Sequence, residues 1–184
     1  MGWIILGIIG FLLILFISIY NRLIVLRNRV ENAWAQIDVQ LKRRYDLIPN
    51  LVETVKGYAS HEKELFDKIA QYRAQMLGAK TPGEAAEANE GLTGALKTLF
   101  AIAENYPELK ANQNFLMLQE ELSGTESKIA YARQFYNDSV MIYNQALEVF
   151  PNNIVANMFN FKPKEYFEVK EAVEREPVRV SFTG

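Results

Sequence analysis

The sequence predicts an all-α protein in which an N-terminal transmembrane helix continues into a long antiparallel helical bundle, with three long helices, a short C-terminal helix and an extended tail. Three observations carry this. The first 21 of 184 residues hold no charged side chain. Two apolar series at seven-residue spacing run side by side from Val30 to Met76. Stop signals at Gly78 and Pro82, at Asn105-Tyr106-Pro107 and at Phe150-Pro151 cut the remainder into helix-length segments. The expected organisation is a transmembrane anchor at 1–21, a helical bundle at 22–161, and a tail at 162–184 that packs on the bundle or mediates association.

Trp3 to Tyr20 reads WIILGIIGFLLILFISIY, 18 residues interrupted only by two glycines and one serine. As a helix it spans roughly 27 Å, close to the thickness of a bilayer's hydrocarbon core. Trp3 and Tyr20 sit at its ends, where amphipathic rings favour the headgroup layer. A cleaved signal peptide needs a basic leader and a small-x-small cleavage site. Met1-Gly2 and the exit through Ser18-Ile19-Tyr20-Asn21-Arg22 supply neither. Residues 22–44 carry Arg22, Arg27, Arg29, Lys42, Arg43 and Arg44 against only Glu31 and Asp38. Positive flanks stay cytoplasmic, so the N-terminus is expected outside and the body inside. Trp3, Tyr20, Arg22, Arg27 and Arg29 are the expected membrane-interface positions, the arginines facing anionic headgroups.

Counting sevens from Val30 gives Ile37, Arg44, Leu51, Tyr58, Leu65 and Tyr72; counting from Trp34 gives Leu41, Ile48, Val55, Glu62, Ile69 and Met76. The two series interleave at spacings of four and three, the seam of a coiled coil. Their phase passes Pro49 unchanged, which predicts one helix over about 22–77, kinked at the proline. Leu92, Leu96, Leu99, Ala103 and Tyr106 mark a second helix, weakened by Gly91 and Gly94. A third is expected from about Glu108 to Val149. It has a bulky series, Phe115, Leu122, Ile129, Tyr136 and Tyr143, and a smaller one, Leu118, Thr125, Ala132, Ser139 and Ala146, that admits a close neighbour. A short helix follows at Ile154 to Met158. After Pro177, Val178, Val180 and Phe182 alternate like a strand, to cover one end of the bundle or to join a partner's edge.

The chemistry is sparse. A net charge of −2 lacks the basic footprint of a nucleic-acid binder. With no cysteine, disulfides, thiolate metal sites and thiol nucleophiles are excluded. The one histidine, His61, is followed by Glu62, but position 65 is Leu, so HExxH is incomplete. No glycine-rich phosphate cradle is present. Neither an enzyme nor a cofactor is expected.

A few polar residues stand at seam positions. Arg44 and Glu62, far apart on the predicted first helix, each need a partner on a facing helix or must snorkel to the rim. Asp46 and Asn50 flank Pro49, placed to satisfy backbone groups released by the kink or to form a recognition patch. Asn137 and Asn144 each follow a seam tyrosine, a placement that fixes register in coiled coils.

The neck Leu26-Arg27-Asn28-Arg29-Val30, the run NAWAQIDVQL at 32–41, RYDLIPNLV at 44–52 and Val55-Lys56-Gly57-Tyr58-Ala59 with His61-Glu62 form a specific block. Tyr136-Asn137, Tyr143-Asn144, Phe150-Pro151 and Pro177-Val178 with Phe182 extend it. Together they resemble the LemA family, over essentially the whole chain. The resemblance implies a single-pass bacterial inner-membrane protein with a cytoplasmic helical body. It implies no reaction and no catalytic residues. Family members often occur beside a membrane metalloprotease of the HtpX type, which points to an accessory role in envelope protein quality control or membrane organisation.

Two functions compete. The first is a non-catalytic scaffold or adaptor in the bilayer that binds copies of itself or a membrane protein, confinement to one plane raising effective concentration. The second is a ligand-binding or sensory bundle with a site near the Pro49 kink, lined by Asp46, Asn50 and groups from the third helix.

Overall fold

The computed structural model describes residues 2–169, and helices account for nearly all of them. Helix α1 (Gly2–Lys56) runs 55 residues without a break, about 80 Å at 1.5 Å per residue. It is followed by α2 (Lys63–Gly78), α3 (Pro82–Ala103), the single turn α4 (Pro107–Lys110), α5 (Gln113–Glu148) and α6 (Asn152–Met158).

The two halves of α1 have opposite fates. No part of its apolar N-terminal stretch is buried. From Ile19 onward a stripe through Leu23, Val30, Ala33, Ile37, Leu41, Arg44, Ile48, Leu51 and Val55 is buried. That stripe packs on α5, which runs antiparallel: Ile19 and Leu23 share a cluster with Ala146, the Trp34 ring meets that of Tyr136 at a tilt, and Arg43 pairs with Glu121. Of the smaller series on α5, Leu118, Thr125, Ser139 and Ala146 are buried and Ala132 is half-buried. Thr125 and Ser139 donate their hydroxyls back to the carbonyls of Leu122 and Phe135, at 2.8 and 2.7 Å, so no polar group is stranded.

Helices α2 and α3 form a second hairpin whose buried residues join the same core. Thr81 starts α3: its hydroxyl accepts from Glu84 N at 3.2 Å, and the Glu84 carboxylate accepts from Lys80 N at 2.7 Å, a form of capping box with Pro82 in the first turn. Gly91 has a packing role. A Cβ there would lie 2.2 Å from the Tyr72 ring, so the glycine lets α2 press onto α3; Gly94 faces open space.

Two predicted helices are divided. The expected helix over 22–77 breaks at 57–62, at Gly57 and not at Pro49. Tyr58 N and Ala59 N both bond to Val55 O, and fully buried Ala59 pins the turn. Seven-residue spacing reports which face is apolar, and two helices sharing a core keep that spacing across a turn. The expected helix from 108 to 149 is α4 plus α5. Buried Leu109 anchors the corner, and Asn112 caps α5 by accepting from Phe115 N at 3.1 Å.

Helix α6 ends in a Schellman motif: Asn160 takes a φ of 54°, Asn160 N bonds to Asn157 O, and Phe161 N to Ala156 O at 2.9 Å. The reversal sends 161–169 back along α5. Val178, Val180 and Phe182, read as strand-like, lie outside the described residues.

Candidate functional site

Polar chemistry collects at three places in the bundle. The first is Arg44, only 1% exposed on the seam of α1. Its Nη1 donates to Asn89 Oδ1 of α3 at 2.8 Å, and its Nη2 lies 3.8 Å from Glu126 of α5. Its Nε has no hydrogen-bond partner among the described residues. Burial pulls the guanidinium's pKa below its ordinary value, and Glu126 partly opposes that. Arg44 therefore takes partners on facing helices and does not snorkel. It borders a cleft of about 620 Å³ that also holds Asn89, Lys97, Glu126, Arg133 and Asn137, charges of both signs. Glu62 does not share a helix with Arg44. It sits at the N-cap of α2, half-buried, with no capping bond from its side chain.

The second place is the interior proline. Pro49 has no N–H, so the carbonyl four residues earlier, Tyr45 O, loses its helical donor. Arg73 of α2 replaces it: its Nε donates to Tyr45 O at 3.3 Å, and its guanidinium lies 5.4 Å from the Tyr45 ring centroid. Asp46 and Asn50 are exposed and do not perform this task. The group set free is an acceptor, which a carboxylate cannot satisfy.

The third place is the α5 surface under residues 161–169. Asn144 binds Lys164 through both backbone groups: Nδ2 to O and Oδ1 to N, each at 2.9 Å. Asn137 does the same to Phe167, at 3.3 and 2.9 Å. Each amide presents a donor beside an acceptor, as a neighbouring strand would. Seven helical residues rise about 10.5 Å, and three extended residues cover about 10 Å, so Asn residues seven apart match tail residues three apart. Between them Tyr136 Oη donates to Glu165 O at 2.7 Å. Burial, then the negative charge of Glu165, pushes the phenol up to about 12. Phe167, 1% exposed, completes a cluster with Trp34 and Tyr136. The two asparagines thus hold a chain segment, a task that the seam-register expectation did not include. The repeated Tyr-Asn pair was the available signal. Arg73, Asn89 and Phe167 carried none, because each matters only through a distant partner.

At the membrane end, Tyr20 is half-buried against Phe159 and Phe161, and Trp3 is 88% exposed at the far end of the apolar stretch. Arg22 is exposed. Arg27 and Arg29 stand about 10 and 13 Å further along the axis from Tyr20. Both lean on aromatic rings of the body, Arg27 at 5.6 Å from Phe161 and Arg29 at 5.3 Å from Phe135.

On the outer side, α1 and α5 leave a cleft of about 610 Å³ lined by Ala35, Val39, Gln40, Tyr131, Ala132 and Phe135. Val39 is 61% and Tyr131 75% exposed, and the buried Gln40 Oε1 atom has no hydrogen-bond partner among the described residues.

Comparison with known proteins finds relatives over most of the chain. The chain is 28% identical to Protein LemA of Metamycoplasma hominis over 177 residues, which is 94% of this chain and 79% of the relative. It is 25% identical to Magnetosome protein MamQ of Magnetospirillum gryphiswaldense, over 83% of this chain and 66% of that protein. Magnetosome protein MamQ 2 of Paramagnetospirillum magneticum matches to the same extent. The family profile described as LemA family matches residues 33–182, most of the chain. With an apolar N-terminal helix running on into a bundle built around the NAWAQIDVQL and RYDLIPNLV segments, the chain belongs to the LemA family.

Proposed function

We propose that this protein is a non-catalytic, single-pass scaffold of the bacterial inner membrane, with its N-terminus outside and its body in the cytoplasm, that self-associates to organise the membrane or its protein quality control. The observation that carries this reading is the continuity of α1. One helix passes from a stretch with nothing buried to a stripe at the centre of the core. The helix has no break between the apolar stretch and the body, so the body is held at a set angle to the span. The basic excess of 22–44 supports the orientation. The magnetosome relatives support membrane association.

The cleft between α1 and α5 is the surface offered to a second copy. Val39, Tyr131 and Phe135 present apolar area there. A membrane metalloprotease of the HtpX type is the competing partner. A ligand site near Pro49 has less support, because Asp46 and Asn50 are exposed and the Tyr45 carbonyl is already taken by Arg73.

The chain has no cysteine, so a single introduced thiol reports only contacts between copies. In isolated membranes treated with a copper–phenanthroline oxidant, Tyr131→Cys is expected to give a disulfide-linked dimer of this chain, and Lys68→Cys, on the exposed face of α2, is not. Full-length protein in mild detergent is expected as a discrete oligomer. A monomer by both measurements removes self-association and leaves a separate membrane partner.

A further inference from the structure

Residues 149–161, VFPNNIVANMFNF, hold no charged side chain. They form the turn after α5, helix α6 and its exit. One side of this unit is buried: Val155 and Ala156 pack with Ile19, Leu23 and Ala146. The other side is bare, with Phe150 79%, Met158 66%, Ile154 51% and Phe159 49% exposed. Ile154 and Met158 are one helical turn apart and share a face. Single exposed apolar residues are ordinary, but a contiguous group of this kind marks a contact surface.

Its place in the fold says what covers it. The Phe159 ring centroid lies 4.7 Å from that of Tyr20 and 5.9 Å from that of Phe16. Tyr20 ends the apolar stretch and Phe16 lies one turn inside it. A side chain that touches both is at the depth where the stretch enters the headgroup layer. Lys162, exposed, directly follows the patch along the chain, Arg22 is exposed just past the apolar stretch of α1, and no acidic residue lies within 149–161.

We infer that the α5–α6 turn and α6 make a second contact with the bilayer, seating Phe150, Ile154, Met158 and Phe159 at the headgroup–acyl boundary of the leaflet that faces the body. The inference rests on reading residues 3–20 as a membrane span. It gives the bundle two points of attachment. A lone span leaves the body free to turn about the axis of α1; a second contact fixes which face of the bundle lies against lipid and which looks along the membrane plane.

The test uses full-length protein in vesicles of phosphatidylcholine and phosphatidylglycerol, with an environment-sensitive fluorophore on one introduced thiol at a time. Ile154→Cys and Met158→Cys report the patch, Leu12→Cys the span, and Asp67→Cys the exposed surface of α2. All four positions are exposed, so the fold tolerates them. Labels at 154 and 158 are expected to shift to the blue, to be quenched by lipid spin-labelled just below the headgroup, and to lose quenching by aqueous iodide. The label at 12 is expected to respond only to deeper spin labels, and the label at 67 only to iodide. If 154 and 158 behave like 67 while 12 stays in the bilayer, the second contact is wrong and the span stands. Protection from iodide without lipid quenching means protein covers the patch, and this also overturns the inference. If 12 is open to iodide, the span itself fails and the second contact falls with it.

Discussion

Arg73 Nε donates to Tyr45 O at 3.3 Å, filling the position that the missing N–H of Pro49 leaves empty. A proline inside a helix costs about 3 kcal/mol, and a donor from another helix recovers part of that. The arrangement ties the α2–α3 hairpin to α1 at the carbonyl that the proline leaves without its helical donor.

A double-mutant cycle tests the tie. Arg73→Ala is expected to cost about 1–2 kcal/mol in thermal unfolding, the sum of one hydrogen bond and one cation–ring contact. Pro49→Ala returns an internal donor to Tyr45 O. In that background Arg73→Ala should cost less, by 0.5 kcal/mol or more, as coupled neighbours do. Equal costs in both backgrounds refute the link.

Arg44 is expected to be a specificity device more than a source of stability. Replacing a buried ion pair by an apolar side chain of similar volume is often neutral, whereas removing only its partner is costly. Arg44→Met should therefore stay within about 1 kcal/mol of the parent, while Asn89→Ala, which strands the guanidinium, should lose about 1.5–3 kcal/mol. In the double variant the Asn89 penalty should shrink. Chemical denaturation in detergent gives all three values, and an Arg44→Met loss as large as that of Asn89→Ala contradicts the account.

The asparagine clamps predict a selective loss. Asn137→Ala and Asn144→Ala each remove a donor and an acceptor from backbone groups of the 161–169 segment, at roughly 1–3 kcal/mol per site. Limited proteolysis should then cut after residue 160 faster than in the parent, with the helical signal of α1–α5 unchanged. Hydrogen exchange at the Phe167 amide should speed up most in Asn137→Ala. Unaltered exchange there means that packing of Phe167 on Trp34 suffices to hold the segment.

Tyr136 predicts a loss of stability in alkali. Its phenol titrates near 10 in the unfolded chain and is pushed up to about 12 in the fold. Below pH 10 it is neutral in both states and adds no pH dependence. Between about 10 and 12 only the unfolded chain releases the proton, so stability falls as pH rises, by on the order of 2 kcal/mol. Burial raises the Tyr143 phenol as well, so it adds a slope of the same sign. Tyr136→Phe should reduce the alkaline drop in the thermal midpoint without abolishing it. An unchanged pH profile in that variant excludes Tyr136 as a source.

Much of the fold was legible because it depends on local pattern. The uncharged run before Arg22 marks the apolar helix, and the stop signals at Gly78, at Asn105-Tyr106-Pro107 and at Phe150-Pro151 fall where α2, α3 and α5 end. The seven-residue series predicted the buried faces of α1 and α5 through Ile37, Leu41, Ile48, Leu122, Ile129 and Tyr143. What the pattern could not show was continuity. Gly57 ends α1 and Pro49 does not, because a distant arginine satisfies the group that the proline releases while buried Ala59 stabilises the turn after the glycine.

By itself, the sequence determined that this protein carries an apolar N-terminal helix, has an all-helical body and belongs to one family, since periodicity, charge and composition are properties of neighbours along the chain. Only the tertiary structure decided which polar residues have work. Arg44 with Asn89, Arg73 with Tyr45, and Asn137 with Phe167 are pairs 28 to 45 residues apart. A hydrogen bond needs its atoms within about 3 Å, and that distance across such separations exists only once the helices have packed.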